Sequence, residues 1–105
     1  MKNLFIHKNA TISETLKQID KSGHRHLIVT EKKNKLLGVI ADGDLRRAIL
    51  KKKKLFSKII NIFNKRPLFF YQSKFTTKMA KRKMEDKGIF FVPIVNDKKI
   101  VIDYK

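Results

Sequence analysis

Apolar positions along this chain change their spacing several times, and each change marks an element. Between Thr11 and Gly23, Ile12, Leu16 and Ile19 recur at helical spacing with polar residues between them. Thr11 or Ser13 supplies an N-cap and Gly23 a stop, which predicts a helix. His26 to Thr30 and Leu36 to Ile40 are continuous apolar runs rich in β-branched residues, separated by a polar turn over Glu31 to Lys35. They predict two strands buried on at least one face. Asp42-Gly43-Asp44 then reads as a turn with helix-capping chemistry, followed by Leu45, Ala48 and Ile49 on one helical face. The order is helix, strand, strand, helix.

That order begins again downstream. Thr76 to Gly88 predicts a second-unit helix with Met79, Ala80 and Met84 as its apolar positions. Ile89 to Val95 predicts a strand carrying Pro93, Asn96-Asp97-Lys98 a turn, and Lys99 to Ile102 a further strand. Placing Gly23 on Gly88 superposes the two helices, and Leu27-Ile28-Val29 then matches Pro93-Ile94-Val95 after a one-residue slip. Between the units, a short helical piece around Ile59, Ile60 and Phe63 is broken by Pro67, and Leu68 to Tyr71 predicts a short strand. The fold class is therefore α/β, with two tandem units at about residues 1–56 and 57–105.

Composition narrows the classes. Of the 105 residues, 42% are hydrophobic, enough for a core within one small domain or two half-sized repeats. With no cysteine, disulfides and thiolate metal sites are excluded. No apolar run approaches the roughly 20 residues that span a bilayer, and charge returns too soon after Phe5-Ile6 for a signal peptide. The expectation is a soluble cytoplasmic protein without membrane partners.

Charge adds a second property. Lys and Arg number 26 against 9 Asp and Glu, a net charge of +17. From Leu45 to Met84 there are 14 basic residues and no acidic one, including Lys51-Lys52-Lys53-Lys54. Such a field attracts polyanions or phosphorylated ligands, although a Lys-rich compositional bias gives the same count. Lys outnumbers Arg and no aromatic stacking motif is interleaved, so nucleic-acid binding is expected to be weak and salt-dependent. A basic nucleic-acid-binding protein stays open as an alternative.

The tandem units, the first ending Gly38-Val39-Ile40-Ala41-Asp42-Gly43-Asp44-Leu45-Arg46-Arg47, resemble a CBS-domain pair, also called a Bateman module. The family signature of Gly, two aliphatics, a hydroxyl residue, two variable residues and Asp becomes Gly38, Val39, Ile40, Ala41 and Asp44 here. Val92-Pro93-Ile94-Val95 resembles the family's strand motif, and Asn64-Lys65-Arg66-Pro67 the opening of a second repeat. The Asp-Gly-Asp-Leu-Arg-Arg form is similar to pairs attached to bacterial sugar-nucleotide nucleotidyltransferases and sugar-phosphate isomerases. The opening, from Lys2-Asn3-Leu4 to Ile12-Ser13-Glu14, is more similar to the nucleotidyltransferase group, where the pair precedes the catalytic domain. Two departures stand out. Ala41 occupies the hydroxyl position, and Ile102 takes the place of the second glycine, with the chain stopping at Lys105 before a second Asp or helix. The second repeat is thus expected to be truncated at its C-terminus.

The resemblance implies a non-enzymatic regulatory module, a homodimer, holding AMP, ADP or ATP as a regulatory ligand and acting on a sugar nucleotidyltransferase domain in cis or trans. No resident cofactor is required. Asp44 is the sharpest candidate: its carboxylate can accept hydrogen bonds from both ribose hydroxyls, or it can simply cap the helix. Gly38 suits close backbone approach and Gly43 a tight turn. Ala41 lies where a hydroxyl usually meets the nucleotide, and Leu27 and Ile28 are expected against adenine. Arg46 and Arg47 sit where cations oppose the helix dipole, which points one of them toward a phosphate or toward solvent. His24 and His26 alternate along a strand, but no third ligand is spaced to complete a metal site. No serine lies in a nucleophile motif. Phe69, Phe70, Tyr71, Phe75, Phe90 and Phe91 are read as core or dimer interface. A ligand-free dimerisation module is the remaining alternative.

Overall fold

The structure, a computed structural model, describes residues 2–105. Met1 lies outside the described residues. The chain forms two three-stranded sheets of the same topology. The first contains β1 (Phe5–His7), β2 (His26–Glu31) and β3 (Lys35–Ala41); the second contains β4 (Phe70–Tyr71), β5 (Pro93–Val95) and β6 (Val101–Tyr104). In each sheet the first two strands are parallel and the last two antiparallel. Helix α1 (Ile12–Ser22) crosses from β1 to β2, and α3 (Thr77–Lys87) makes the matching crossover from β4 to β5. Helix α2 (Asp42–Leu50) follows β3 directly.

The one-residue slip between the units is visible in strand register. Phe5 stands opposite Ile28, while Phe70 stands opposite Ile94. The helices begin and end alike. Thr11 caps α1 through the Glu14 N–H at 3.1 Å, and Thr76 caps α3 through the Met79 N–H at 3.1 Å. Gly23 and Gly88 then close them at φ 75° and 64°, left-handed values that a glycine adopts without steric cost.

Both sheet faces of the first unit are covered, which explains its uninterrupted apolar strands. Successive residues of a strand point to opposite faces. Leu27, Val29 and Ile40 accordingly join Ile12, Leu45, Ala48 and Ile59 in a core beneath α1 and α2. Ile28 and Val39 face the other way and meet Phe91, Val95 and Val101 of the second unit. The second unit's outer core is smaller, with Phe70, Ala80 and Val92 buried and Met84 and Ile89 packed against them. The chain stops at Lys105, which pairs with Val92 much as Ala41 pairs with His26. No counterpart of α2 exists among the described residues of the second unit.

Several boundaries differ from the expected ones. Asp42-Gly43-Asp44 is not a turn but the first turn of α2, with Ala41 as its N-cap. Ile49 leaves the buried face of α2 and is 41% exposed. Strand β5 is only Pro93–Val95, because the chain first closes α3 through an Ile89 N–H bond to the Met84 carbonyl at 2.9 Å. Strand β6 starts at Val101 rather than Lys99, since Asn96 Oδ1 accepts from both the Lys98 and Ile100 N–H groups and keeps the turn going. Strand β1, three residues long, has no local pattern that announces it.

Candidate functional site

Asp44 occupies the third position of α2 and is half-buried, its side chain 25% exposed. Its Oδ2 accepts the Ala41 N–H at 2.8 Å, reaching back to satisfy a helix-start donor. Its Oδ1 accepts from the Arg47 guanidinium at 2.8 Å. The capping role is therefore occupied. Ala41 has no side-chain oxygen to return the bond, so this box is half-made, unlike the reciprocal Thr11–Glu14 box of α1. An ionised carboxylate has about four acceptor sites, so Asp44 retains capacity for further donors.

Two cavities meet at this carboxylate. One, of about 210 Å³, lies between the units and contains Ala41 and Asp44 with His26, Asn64, Leu68 and Phe91 on its walls. His26 lies flat against Phe91, ring centroids 5.3 Å apart and planes inclined by 8°. Burial lowers the His26 pKa from its ordinary value; the Asp44 charge opposes this and Arg25 adds to it. The wall thus presents a neutral flat ring at physiological pH. The other cavity, of about 220 Å³, is basic: Arg47, Lys51 and Lys53 line it with Asp44 and Asn61. A molecule with a planar apolar end, a hydroxylated middle and an anionic end matches this sequence of surfaces.

The other expected residues lie elsewhere. Leu27 and Ile28 are fully buried in the two cores and do not line the cleft. Gly38 permits close approach to the linker, not to a ligand. Val39 exchanges backbone hydrogen bonds with Asn64 at 3.0 and 2.9 Å, and a Cβ on Gly38 would overlap the Asn64 carbonyl. Gly43 is helical. Arg46 projects outward beside Asp42, 3.8 Å away, and it is Arg47 that faces the basic cavity. His24 precedes β2 and sits edge-on to Tyr104, 6.0 Å between centroids, so the two histidines rest on different aromatic rings. Among the described residues no three His, Asp or Glu side chains gather as a metal site.

His26, Asn64 and Phe91 were not read as a site from sequence. They come from three separated segments, and the sequence assigns them to a strand, a repeat opening and an aromatic cluster rather than to one cleft. Of the aromatic cluster, Phe70 and Phe91 are buried as expected, but Phe90 is 84% exposed. No helix among the described residues is long and apolar enough to cross a membrane.

The family model of the CBS domain matches residues 1–51. The uncharacterized protein RP505 of Rickettsia prowazekii (strain Madrid E) is 31% identical over 96 residues, covering 91% of this chain and 30% of that protein. The chain thus spans under a third of that relative's length. The solved CBS domain pair of protein MJ0100, in complex with 5′-methylthioadenosine and S-adenosyl-L-methionine, superposes with a TM-score of 0.84 at 25% identity, over 97% of this chain and 79% of that one. A CBS domain protein from Pyrobaculum aerophilum complexed with AMP gives a TM-score of 0.85 at 20% identity, over 97% of this chain and 78% of that one.

Proposed function

We propose that this chain, which begins with a CBS domain and has the fold of a CBS-domain pair, is a regulatory module that senses an adenine nucleotide. The carrying observation is the position of Asp44 between an apolar cavity and a basic one. In this reading adenine enters beside His26 and Phe91, the ribose hydroxyls donate to Asp44, and the phosphates turn toward Arg47, Lys51 and Lys53. The AMP held by one structural neighbour and the adenosyl ligands held by another support this ligand class. No catalytic step is assigned to the module.

Regulation follows from linkage. A nucleotide that prefers one arrangement of the two units stabilises it, and a partner that reads that arrangement responds. The Asp42-Gly43-Asp44-Leu45-Arg46-Arg47 stretch supports a sugar-nucleotide nucleotidyltransferase as that partner, in cis or trans. The module pairs as a homodimer through apolar side chains left outside the core around the end of α2, where Leu50 and Phe56 are 75% and 78% exposed. The units at 1–56 and 57–105 form the working pair.

Calorimetry with AMP, ADP and ATP tests the nucleotide reading. Hydrogen bonds to a charged acceptor contribute about 1.5–3 kcal/mol, so Asp44→Asn should weaken binding by roughly ten- to a hundredfold. Asn still offers an oxygen to the Ala41 N–H, which separates the ligand role from capping. An Asp44→Asn variant that binds as well as the parent, or a parent that binds none of the three at millimolar concentration, overturns the reading.

A further inference from the structure

A third cavity, of about 310 Å³, lies where the linker between the units meets the first residues of β3 and the turn before β6. On β3 its lining reaches Leu37 and that of the Asp44 cleft reaches Val39, two residues or roughly 7 Å apart along an extended strand. Pro67 is the one lining residue the two clefts share. Three cations, Lys65, Arg66 and Lys99, face the cavity, and no acidic residue lines it. None of the three takes part in an ion pair among the described residues. Like charges gathered around one small space repel each other, so this arrangement is stabilised by an anion that enters it.

Two of the three cations rest on aromatic rings. The Lys65 ammonium lies 5.0 Å from the centre of the Phe63 ring, and that of Lys99 lies 4.9 Å from the Phe69 ring. The negative ring faces fix both without neutralising either. The backbone of Arg66 is anchored by its N–H bond to Asn64 Oδ1 at 2.9 Å. Lys99 is clamped between the units: its N–H donates to the Asn96 carbonyl and its carbonyl accepts the Leu36 N–H, both at 2.9 Å. It holds a left-handed φ of 62° there. Leu36, Leu37 and Pro67 complete the cavity with apolar surface.

We propose that this cavity is a second anion site, distinct from the Asp44 cleft, which takes a phosphoryl dianion. Three cations match three phosphoryl oxygens, and Phe69 with Pro67 and Leu37 forms a wall for an organic body attached to the phosphate. The same chemistry is offered by inorganic phosphate and by a small phosphate monoester.

Amide NMR titration of the full chain at fixed ionic strength, with inorganic phosphate in one arm and phenyl phosphate in the other, tests the site. Saturable shifts at Leu36, Leu37, Phe69 and Lys99 are expected in at least one arm. Tighter binding of phenyl phosphate identifies an organic monoester, and equal binding identifies the oxyanion alone. The K65Q/R66Q/K99Q variant should weaken the shifts at these positions by roughly tenfold. The single Lys65→Gln change, at an exposed side chain, should weaken them by about threefold and keeps the test independent of folding. K81Q/R82Q/K83Q removes the same charge from exposed positions of α3 and should change them by less than about twofold. Shifts that never saturate, their absence in both arms, or equal loss in the two triple variants overturns the site. Because the readout is local to Leu37 and Phe69, its failure is distinct from failure of nucleotide binding at Asp44.

Discussion

His26 and Phe91 lie face to face across the boundary between the two units, with ring centroids 5.3 Å apart. The pair does two things at once. It extends the inter-sheet core to the edge of the cleft, and it removes enough water from the imidazole to disfavour its charge.

The stack makes stability pH-dependent with a definite sign. The folded-state pKa of His26 is lowered from 6.5, so over that window the unfolded chain binds more protons than the folded one. Unfolding free energy then rises with pH, is fully present above the unfolded pKa, and falls as the pH drops below it. Asp44 pulls the other way and Arg25 adds to the shift. His26→Phe keeps an aromatic ring on Phe91 but cannot titrate. Urea unfolding between about pH 5 and 8 should show a loss of stability on acidification in the parent that is smaller in the variant. Parallel profiles would show that His26 titrates without a folded-state penalty.

The two glycines of the β3–α2 junction should respond oppositely to alanine. At Gly38 a Cβ would overlap the Asn64 carbonyl and come within 2.6 Å of the Phe63 ring. Backbone and a buried ring cannot both yield, so Gly38→Ala should cost about 1–3 kcal/mol, in the range of overpacked cores. At Gly43 the nearest atom is the Arg47 guanidinium, 3.1 Å away at the end of a flexible side chain. Helix propensity then decides, and Gly43→Ala should stabilise by up to about 1 kcal/mol. Denaturant midpoints measure both; matching signs would contradict the assigned environments.

Ala41→Thr tests the half-made capping box. Thr11 and Thr76 show the geometry that this helix start lacks. A hydroxyl at Ala41 should accept the Asp44 N–H and stabilise the fold by about 1 kcal/mol. It also adds a polar group to the wall of the apolar cavity. A thermal shift without tighter nucleotide binding would assign the position to helix capping alone, whereas both together would place a hydroxyl on the ligand.

Much of this architecture was legible because its signals are local. Ile12, Leu16 and Ile19 with Thr11 and Gly23 specify α1 from one turn to the next. Continuous apolar runs specify β2 and β3 because both faces of that sheet are covered. The first turn of α2 is hidden in the sequence because Asp42-Gly43-Asp44 has turn composition and Ala41 gives no capping signal. The cleft was only half legible. Ala41 and Asp44 belong to one contiguous motif, but His26 and Phe91 meet through packing across 64 intervening positions. The resemblance sets Leu27 and Ile28 against adenine, whereas the two cores consume both side chains.

The basic segment after α2 yields the last prediction. Lys51 to Lys54 are exposed, and their backbone continues the helix end: the Lys51 and Lys53 N–H groups donate to the Arg47 and Ala48 carbonyls, each at 3.0 Å. Substituting these side chains therefore leaves the local hydrogen bonds intact. Lys52 has a φ of 68°, so Asn, which tolerates that conformation, is the substitution there, with Ser at the other three. The parent should bind nucleic acid non-specifically at low salt and lose it near physiological salt. The slope should be about 0.9 logarithmic units of affinity per tenfold salt for each phosphate contacted. The quadruple variant should flatten that slope. Because Lys51 and Lys53 also line the basic cavity beside Asp44, the same variant should weaken ATP more than AMP, whose single phosphate reaches fewer of them. Filter binding across a salt series and calorimetry with both nucleotides read the two effects separately. Sequence-selective nucleic-acid binding that persists at high salt, with ATP and AMP equally unaffected, would reverse the assignment and make the segment a nucleic-acid interface.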